Sequence, residues 1–180
     1  MCGITGILSK KKLSNINDRI YRMNSSIIHR GPDSGGLYFN KNLALGHRRL
    51  SIIDTREISN QPMHSCNGEW HIVFNGEIYN FEEIKLKLSY EFTTNSDTEV
   101  ILAAIQQKGV EWFLKQSNGM FSIAIYNSQT SELFLIRDRM GIKPLYYYLD
   151  DDNLVFSSEI KAILNSGLIK AEFNESAVDE

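Results

Sequence analysis

The sequence predicts an α+β domain in which two sheets carry most of the strands and a few helices pack against them. Its composition is that of an ordinary globular chain, with 42% hydrophobic and 23% charged residues. Short β-branched and aromatic runs separated by turn residues recur along the chain, and between them lie segments with helical spacing of apolar residues. A length of 180 residues suits one core, so residues 1–180 are predicted to form a single domain.

The first half of the chain is predicted to alternate strands with helices. Residues 4–8 form a short apolar run typical of a buried strand. Apolar residues then recur on one helix face from 16 to 27, with Ser14 or Asn15 available as the N-cap. The further predicted elements are strands at 36–39, 43–47 and 69–74, a loop at 61–68 and a short helix at 81–88.

The second half becomes richer in strands. A helix is predicted at 97–107 with Ser96 as its N-cap, followed by another helical turn at Trp112. The Arg-Asp-Arg sequence at 137–139 predicts a salt-bridged turn between strands, with a structural role. The other predicted elements are strands at 120–126, 133–137, 145–149 and 154–157 and a helix at 159–164.

Charge and cysteine content exclude several classes of function. The formal net charge is −3, which is too balanced for a surface devoted to nucleic acid. Cys2 and Cys66 are too few for a disulfide framework, and neither the cysteines nor the histidines show zinc-ligand spacing, so no metal site is expected. No apolar run is long enough for a signal peptide or a membrane span. A cytoplasmic protein with no membrane partner is predicted.

Cys2 is the most informative residue, because removal of Met1 would give it a free α-amine beside its thiol. A free thiol has a pKa of about 8.5 and an α-amine one of about 7.7 to 8.0, so the amine can accept the thiol proton. One residue would then supply both nucleophile and base. The alternative is that Cys2 is a small buried apolar residue near the chain terminus.

Attack on an acyl group also requires donors for the oxyanion, and Asn75-Gly76 offers an amide side chain beside a backbone N–H. The same dipeptide is the strongest short signal for a β-hairpin turn, so both interpretations remain open from these residues alone. Arg49 and Asp97 are candidates to bind the carboxylate and the ammonium group of a small zwitterionic substrate. Charged residues of this kind also occur simply as solvated surface groups.

Nine segments, in order along nearly the whole chain, resemble the glutaminase domain of the asparagine synthetases. They are MCGITGI (1–7), RGPD (30–33), GHRRLSIID (46–54), QPM (61–63), NGEIYN (75–80), SDTEV (96–100), NGMFS (118–122), RDRMGIKPLYY (137–147) and FSSEIKA (156–162).

This resemblance implies a class II glutamine amidotransferase of the N-terminal nucleophile hydrolase fold, a four-layer αββα sandwich of two antiparallel sheets between helical layers. It implies that Cys2 is the nucleophile, that Asn75 and Gly76 form the oxyanion hole, and that Arg49 and Asp97 bind the carboxylate and the ammonium group of glutamine. The residues expected to line the glutamine pocket are Leu50, Ser51, Ile52, Ile53 and Glu77.

The implied reaction converts glutamine to glutamate and ammonia through a thioester on Cys2, with no cofactor. ATP and magnesium are expected only for a synthetase domain, an ATP pyrophosphatase, whose phosphate-binding loop this sequence lacks. That domain or subunit would be the partner that receives ammonia for asparagine synthesis, and residues 168–180 are expected to begin the linker to it. A homodimer is a further expectation.

Two alternatives to this function stay open at the level of sequence. The same glutaminase chemistry would equally serve another carboxylate acceptor, such as a sugar acid or a secondary metabolite. A catalytically silent glutamine-binding module is the other alternative, and its expected signature is loss of Cys2, Asn75 or Gly76, all of which are present.

Overall fold

The computed structural model of the chain describes residues 1–52 and 54–172, and in those residues the helices and strands alternate much as the sequence predicts. The elements are β1 (Gly3–Ser9), α1 (Ile16–Ser26), β2 (Ser34–Asn40), β3 (Leu43–Arg49), β4 (Met63–His64), β5 (Trp70–Ile78), α2 (Phe81–Lys85), α3 (Asp97–Lys108), α4 (Val110–Gln116), β6 (Gly119–Asn127), β7 (Glu132–Arg137), β8 (Tyr146–Leu149), β9 (Asn153–Ser157) and α5 (Ile160–Asn165), with 3-10 turns at Ile28–Arg30 and Glu57–Ser59.

The strands form two antiparallel sheets. A five-stranded sheet has the order β2-β3-β1-β9-β8, which places the N-terminal strand at its centre. A four-stranded sheet has the order β4-β5-β6-β7. Strand β1 is paired on both sides, with β3 and with β9, and it is buried over most of its length. A chain terminus is usually free to fray, but here the ladder on each side fixes the start of the chain.

Three apolar clusters define four layers. One lies between the two sheets and includes Ile4, Leu45 and Val73. A second packs α1 and α5 on the outer face of the five-stranded sheet, and a third packs the other helices on the four-stranded sheet. Since the central strands contact a core on both faces, their sequences are nearly continuous apolar runs rather than alternating patterns. The predicted αββα sandwich is therefore confirmed.

Asn75-Gly76 does not form a hairpin turn. Strand β5 continues through both residues to Ile78 and pairs with β6 along its whole length, with Asn75 opposite Ser122. The predicted strand at 69–74 was therefore too short. The local turn preference of Asn-Gly is worth less than the ladder bonds and core contacts that an extended strand gains here.

Other local predictions differ from the structure in detail. Ser96 caps α3 as predicted, accepting a hydrogen bond from the Thr98 N–H at 3.1 Å. Asn15 occupies the N-cap position of α1 in a left-handed conformation, and its side chain makes no capping bond. The predicted helix at 81–88 ends earlier, at Lys85. The predicted loop at 61–68 contains the two-residue strand β4.

The turn after β7 is held by backbone contacts and not by the predicted salt bridge. The Asp138 carboxylate accepts hydrogen bonds from four backbone N–H groups, among them those of Phe121 at 3.2 Å and Lys143 at 3.0 Å. Although burial raises the pKa of Asp138, these donors lower it below its ordinary value. Arg137 donates instead to the carbonyl of Lys143 at 2.8 Å.

The C-terminal segment beyond α5 lies only partly within the described residues. Leu168 and Ile169 pack against the cluster formed by α1 and α5. Residues 173–180 lie outside the described part, so a linker at 168–180 stays a prediction. None of the helices in the described ranges has the length and apolarity that crossing a membrane requires.

Candidate active site

A cleft opens at the end of the sandwich where β1 begins, and Cys2 lies in its wall. The Cys2 Sγ atom is 3.4 Å from the backbone nitrogen of Leu50 and 3.6 Å from its carbonyl oxygen. Cys2 is half-buried, and Met1 beside it is 59% exposed. The cleft is lined by Met1, Cys2, Arg49, Leu50, Ile52, Ser59, Gln61, Phe74, Asn75, Gly76, Glu77, Ser96, Asp97, Thr98, Met120 and Lys143.

The Cys2 backbone is fixed from the five-stranded sheet and from the turn after α1. Arg30 Nε donates to the Cys2 carbonyl at 2.9 Å, and its Nη1 contacts the Glu159 carboxylate at 3.2 Å. Gly31 permits the approach of this turn, because a Cβ there would lie 2.3 Å from the carbonyl carbon of Arg48. The RGPD segment (30–33) thus helps to fix the position of the Cys2 nucleophile through its backbone.

The Gly76 N–H points into the cleft, as the pattern of its neighbours shows. In a β-strand the N–H groups of alternate residues point to the same side. The N–H of Phe74 donates to Gln61 Oε1 at 2.6 Å, and that of Ile78 donates to Asp97 Oδ2 at 3.1 Å. Both acceptors line the cleft. The Gly76 N–H between them is directed to the same edge, beyond the end of the short strand β4.

Glycine is required at position 76 by packing on the opposite side of the strand. Gly76 faces Phe121 across the β5–β6 ladder. A Cβ at Gly76 would lie 2.2 Å from the backbone oxygen of Met120 and 2.7 Å from the Phe121 Cα. Any larger residue would push β5 away from β6 and move the N–H that faces the cleft.

The Asn75 side chain points between the sheets, on the same face of β5 as Val73 of the central cluster. Asn75 is 1% exposed, and its Nδ2 has no acceptor among the described residues. Its cross-strand neighbour Ser122 is fully buried, with an Oγ atom similarly unpartnered within the described ranges. A buried amide donor in the cleft wall with no protein acceptor suits the stabilisation of a transient oxyanion.

His47 is fully buried and supports strand β5 beside Asn75. Its Nε2 donates to the Phe74 carbonyl at 3.0 Å, and burial lowers the pKa of His47 to about 3. The imidazole is therefore neutral, which makes His47 a structural donor rather than an acid–base group at neutral pH.

Asp97 begins α3 at the far wall of the cleft. Asp97 is 5% exposed, and burial is the main cause that raises the pKa of its carboxyl group to about 6, with the neighbouring Glu77 adding to it. A buried carboxylate without a cation gains from a bound ammonium group. This is the property expected of a residue that recognises the α-ammonium group of an amino acid.

Arg49 has a role that sequence reasoning did not anticipate. Its guanidinium donates to the carbonyls of Arg56 at 3.1 Å and Asp54 at 2.5 Å and to Asn60 Oδ1 at 2.7 Å. It therefore holds Asp54, Arg56 and Asn60 against the end of β3. Its predicted contact with a substrate carboxylate would add to this structural role.

Most of the predicted site residues meet in this one cleft. Ile53 lies outside the described residues. Ser51 is absent from the described lining, and its backbone N–H donates to Asp33 Oδ2 at 2.7 Å. Sequence reasoning missed Gln61 and Lys143 as lining residues. Both belong to segments that carry the family resemblance, so the signal was present but carried no chemical assignment.

Comparisons with known proteins show the family to which the chain belongs. A family model described as a glutamine amidotransferase domain matches residues 1–180. A putative glutamine-hydrolysing asparagine synthetase 2 of Methanocaldococcus jannaschii is 39% identical, with 99% of this chain and 38% of that protein covered. The glutamine-hydrolysing asparagine synthetase 1 of Bacillus subtilis is 42% identical, with 91% of this chain and 27% of that protein covered. The chain thus spans less than half the length of these relatives.

A different kind of relative and a solved structure extend the comparison. Amidase chry2 of Gibberella zeae is 40% identical over 79% of this chain and 22% of that protein. Glutamine phosphoribosylpyrophosphate amidotransferase from Bacillus subtilis, complexed with ADP and GMP, matches with a TM-score of 0.78 and 23% identity, covering 92% of this chain and 44% of that one. At this identity the likeness concerns the fold, and it agrees with the four-layer αββα sandwich described above.

Proposed function

Because this chain belongs to the glutamine amidotransferase domain family, we propose that it hydrolyses the side-chain amide of glutamine at Cys2. The observation that carries the proposal is the cleft itself. It joins a cysteine at the second position, an unpartnered buried amide donor on Asn75 and a backbone N–H on Gly76 directed to the same edge. Nucleophile and oxyanion donors are what acyl transfer requires.

The proposed reaction begins after Met1 has been removed. The Cys2 α-amine takes the thiol proton, and Sγ forms a bond to the amide carbon of glutamine while the carbonyl electron pair moves to oxygen. The oxyanion is bound by Asn75 Nδ2 and the Gly76 N–H. When it collapses, the C–N bond breaks and the leaving nitrogen takes the proton from the α-ammonium group. The products are ammonia and a γ-glutamyl thioester on Cys2.

Water then completes the turnover. The neutral α-amine takes a proton from water as its oxygen attacks the thioester, and the same two donors bind the second oxyanion. The C–S bond breaks, glutamate leaves, and Sγ recovers its proton from the amine. Neither step consumes ATP or requires a metal ion, so the proposal includes no cofactor for this reaction. We also propose that the protein acts in a reducing compartment such as the cytoplasm, where the Cys2 thiol stays unoxidised.

Glutamine is proposed to bind between Arg49 and Asp97. The Asp97 carboxylate, buried and lacking a cation within the described residues, would pair with the α-ammonium group. Arg49 would bind the carboxylate at the end of β3, next to Leu50, which contacts Cys2. The walls of the binding site would be completed by Ile52 and Glu77, with Ser51 and Ile53 in the adjoining segment.

The ammonia is proposed to serve the amidation of aspartate by an ATP-dependent synthetase domain. Support comes from relatives named as glutamine-hydrolysing asparagine synthetases, which are at least twice as long as this chain. A second candidate is supply of ammonia to another acceptor, because a relative at 40% identity is named an amidase instead. A homodimer stays a prediction in either case.

The test uses purified chain with glutamine and no ATP. Intact mass should show a protein that begins at Cys2, and glutamate and ammonia should appear in equal amounts. Hydroxylamine added during turnover should trap γ-glutamyl hydroxamate, because it competes with water for the thioester. Hydrolysis at a normal rate by protein that retains Met1 would contradict the mechanism, since the α-amine would then be acylated.

A further inference from the structure

Lys143 is a buried cation in the cleft that the reaction just described does not use. Lys143 is 6% exposed and lines the same cleft as Cys2. Its Nζ contacts the Met1 Sδ at 3.4 Å across 142 positions of sequence. No carboxylate in the described ranges lies within 4.0 Å of this nitrogen.

The backbone holds Lys143 rigidly in this place. Its N–H donates to the Asp138 carboxylate at 3.0 Å, and its carbonyl accepts from Arg137 Nε at 2.8 Å. Because these bonds fix the backbone, the ammonium group can leave the cleft mainly by rotation of the Lys143 side chain. A buried ammonium is costly unless paired. The Met1 thioether is a weak acceptor and is lost when Met1 is removed, so the described residues then offer this ammonium group no side-chain partner.

We propose that Lys143 keeps the Cys2 α-amine unprotonated near neutral pH, and this inference rests on the function proposed above. Met1 Sδ is only a few bonds from the peptide nitrogen that becomes the α-amine. Lys143 and Cys2 line the same cleft, so removal of Met1 leaves the Lys143 ammonium and this amine in one cleft. A like charge disfavours a second protonation nearby, so more of the amine is available as base. Lys143 acts through the amine and is a positioning residue.

The other charged groups around Cys2 do not substitute for Lys143. Arg30 contacts the Cys2 carbonyl but is ion-paired with Glu159. Arg49 keeps its charge, but its guanidinium is held at the end of β3 by the carbonyl groups of Asp54 and Arg56. The carboxylates of Glu77 and Asp97 line the cleft from β5 and α3 and would act in the opposite direction, favouring the protonated amine.

The first test is the pH profile of kcat/KM for glutamine in the wild type, Lys143→Met, Lys143→Arg and Lys143→Gln. Loss of the charge should move the acidic limb to higher pH by roughly half to one unit. Activity of Lys143→Met should then be about 3 to 10 times lower at pH 6.5 and unchanged at pH 9. Lys143→Arg should restore the wild-type limb, and Lys143→Gln should repeat the shift. Lys115→Met removes an exposed lysine of α4 and is the matched control.

The second test does not depend on activity. In Cys2→Ala protein labelled with ¹³C at the alanine methyl groups, the shift of the N-terminal methyl reports the α-amine titration directly. Its pKa should be higher in the Cys2→Ala, Lys143→Met double variant than in Cys2→Ala alone. Equal values, or a loss of kcat/KM that is the same at every pH, would overturn the proposal. Absence of glutaminase activity in the wild type would overturn the proposed function instead, while the titration would still decide the role of Lys143.

Discussion

The two walls of the cleft are built by different means. The sheet wall, formed by Asn75 and Gly76, is part of a strand paired without interruption from Trp70 to Ile78. In the loop wall, residues 50–52 and 54–60, the regular structure is limited to the 3-10 turn Glu57–Ser59. Arg49 holds this wall, because its guanidinium binds the carbonyl groups of Asp54 and Arg56. The groups proposed to stabilise the transition state are thus fixed by the backbone ladder, whereas the loop wall depends on one side chain.

This difference has a physical reason. An oxyanion donor must be placed within a fraction of an ångström before the reaction starts, and a ladder of many hydrogen bonds achieves this. A substrate pocket must open and close, and a loop fixed by a few side-chain bonds has lower local stability. The predictions below test this division, beginning with the nucleophile that both walls serve.

The largest expected effect is that of Cys2→Ala. The variant removes the bond-forming atom but little volume, so glutamate release should fall by at least about 10⁴-fold with the fold intact. Cys66→Ala removes the exposed second thiol and is the matched control, which should keep wild-type activity. A coupled glutamate assay measures both. Appreciable hydrolysis by Cys2→Ala would exclude the thioester mechanism.

Asn75→Ala tests the sheet wall. Loss of one oxyanion donor should lower kcat by roughly 100-fold to 1,000-fold with little change in KM. Because Asn75 Nδ2 has no acceptor among the described residues, the variant leaves no partner unpaired, and thermal unfolding should change little. A loss that appears in KM alone would move Asn75 from transition-state stabilisation to substrate binding.

Arg49→Lys tests the loop wall. Lysine keeps the charge but cannot bind several carbonyl groups in the same plane, so kcat/KM should fall by roughly 10-fold to 100-fold, mainly through KM. Limited proteolysis should cut within residues 50–60 faster than in the wild type. Arg48→Lys is the matched control, since Arg48 donates to the Asn24 carbonyl on the other face of β3. If both variants behave alike, the loop wall does not depend on Arg49.

The smallest expected effect is the pH dependence of glutamine binding at Asp97. Its pKa is raised to about 6, so the carboxylate is ionised above that pH and becomes neutral as the pH falls through it. Glutamine affinity should therefore be constant above pH 7 and decrease by up to about tenfold per unit below pH 6.

Calorimetry with Cys2→Ala protein isolates this binding step from the titration of the nucleophile and base. Asp97→Asn in the same background should bind weakly at every pH between 5 and 8, since its side chain does not titrate. A wild-type pH dependence that persists in this variant would assign the titration to another group.

The sequence predicted the fold to a large extent because its signals are local. Ser96 before an apolar helical segment is a capping signal that acts within three residues, and the structure shows that cap. The strands of the second half were also predicted to within a few residues, since turn residues separate them. Residue chemistry and position made Cys2, Asn75 and Asp97 candidates, and the order of the family segments assigned them to one site.

Tertiary structure decided what local signals could not. The Asn75-Gly76 dipeptide favours a turn by itself, and only pairing with β6 and packing between two cores keep it extended. Lys143 is one lysine among many in the sequence. Its position beside Met1 follows from the Asp138 turn and from the central place of β1, which bring together residues 142 positions apart. The sequence by itself determined which chemical groups are present, whereas the fold decided which of them are buried together and therefore which charges act on the nucleophile.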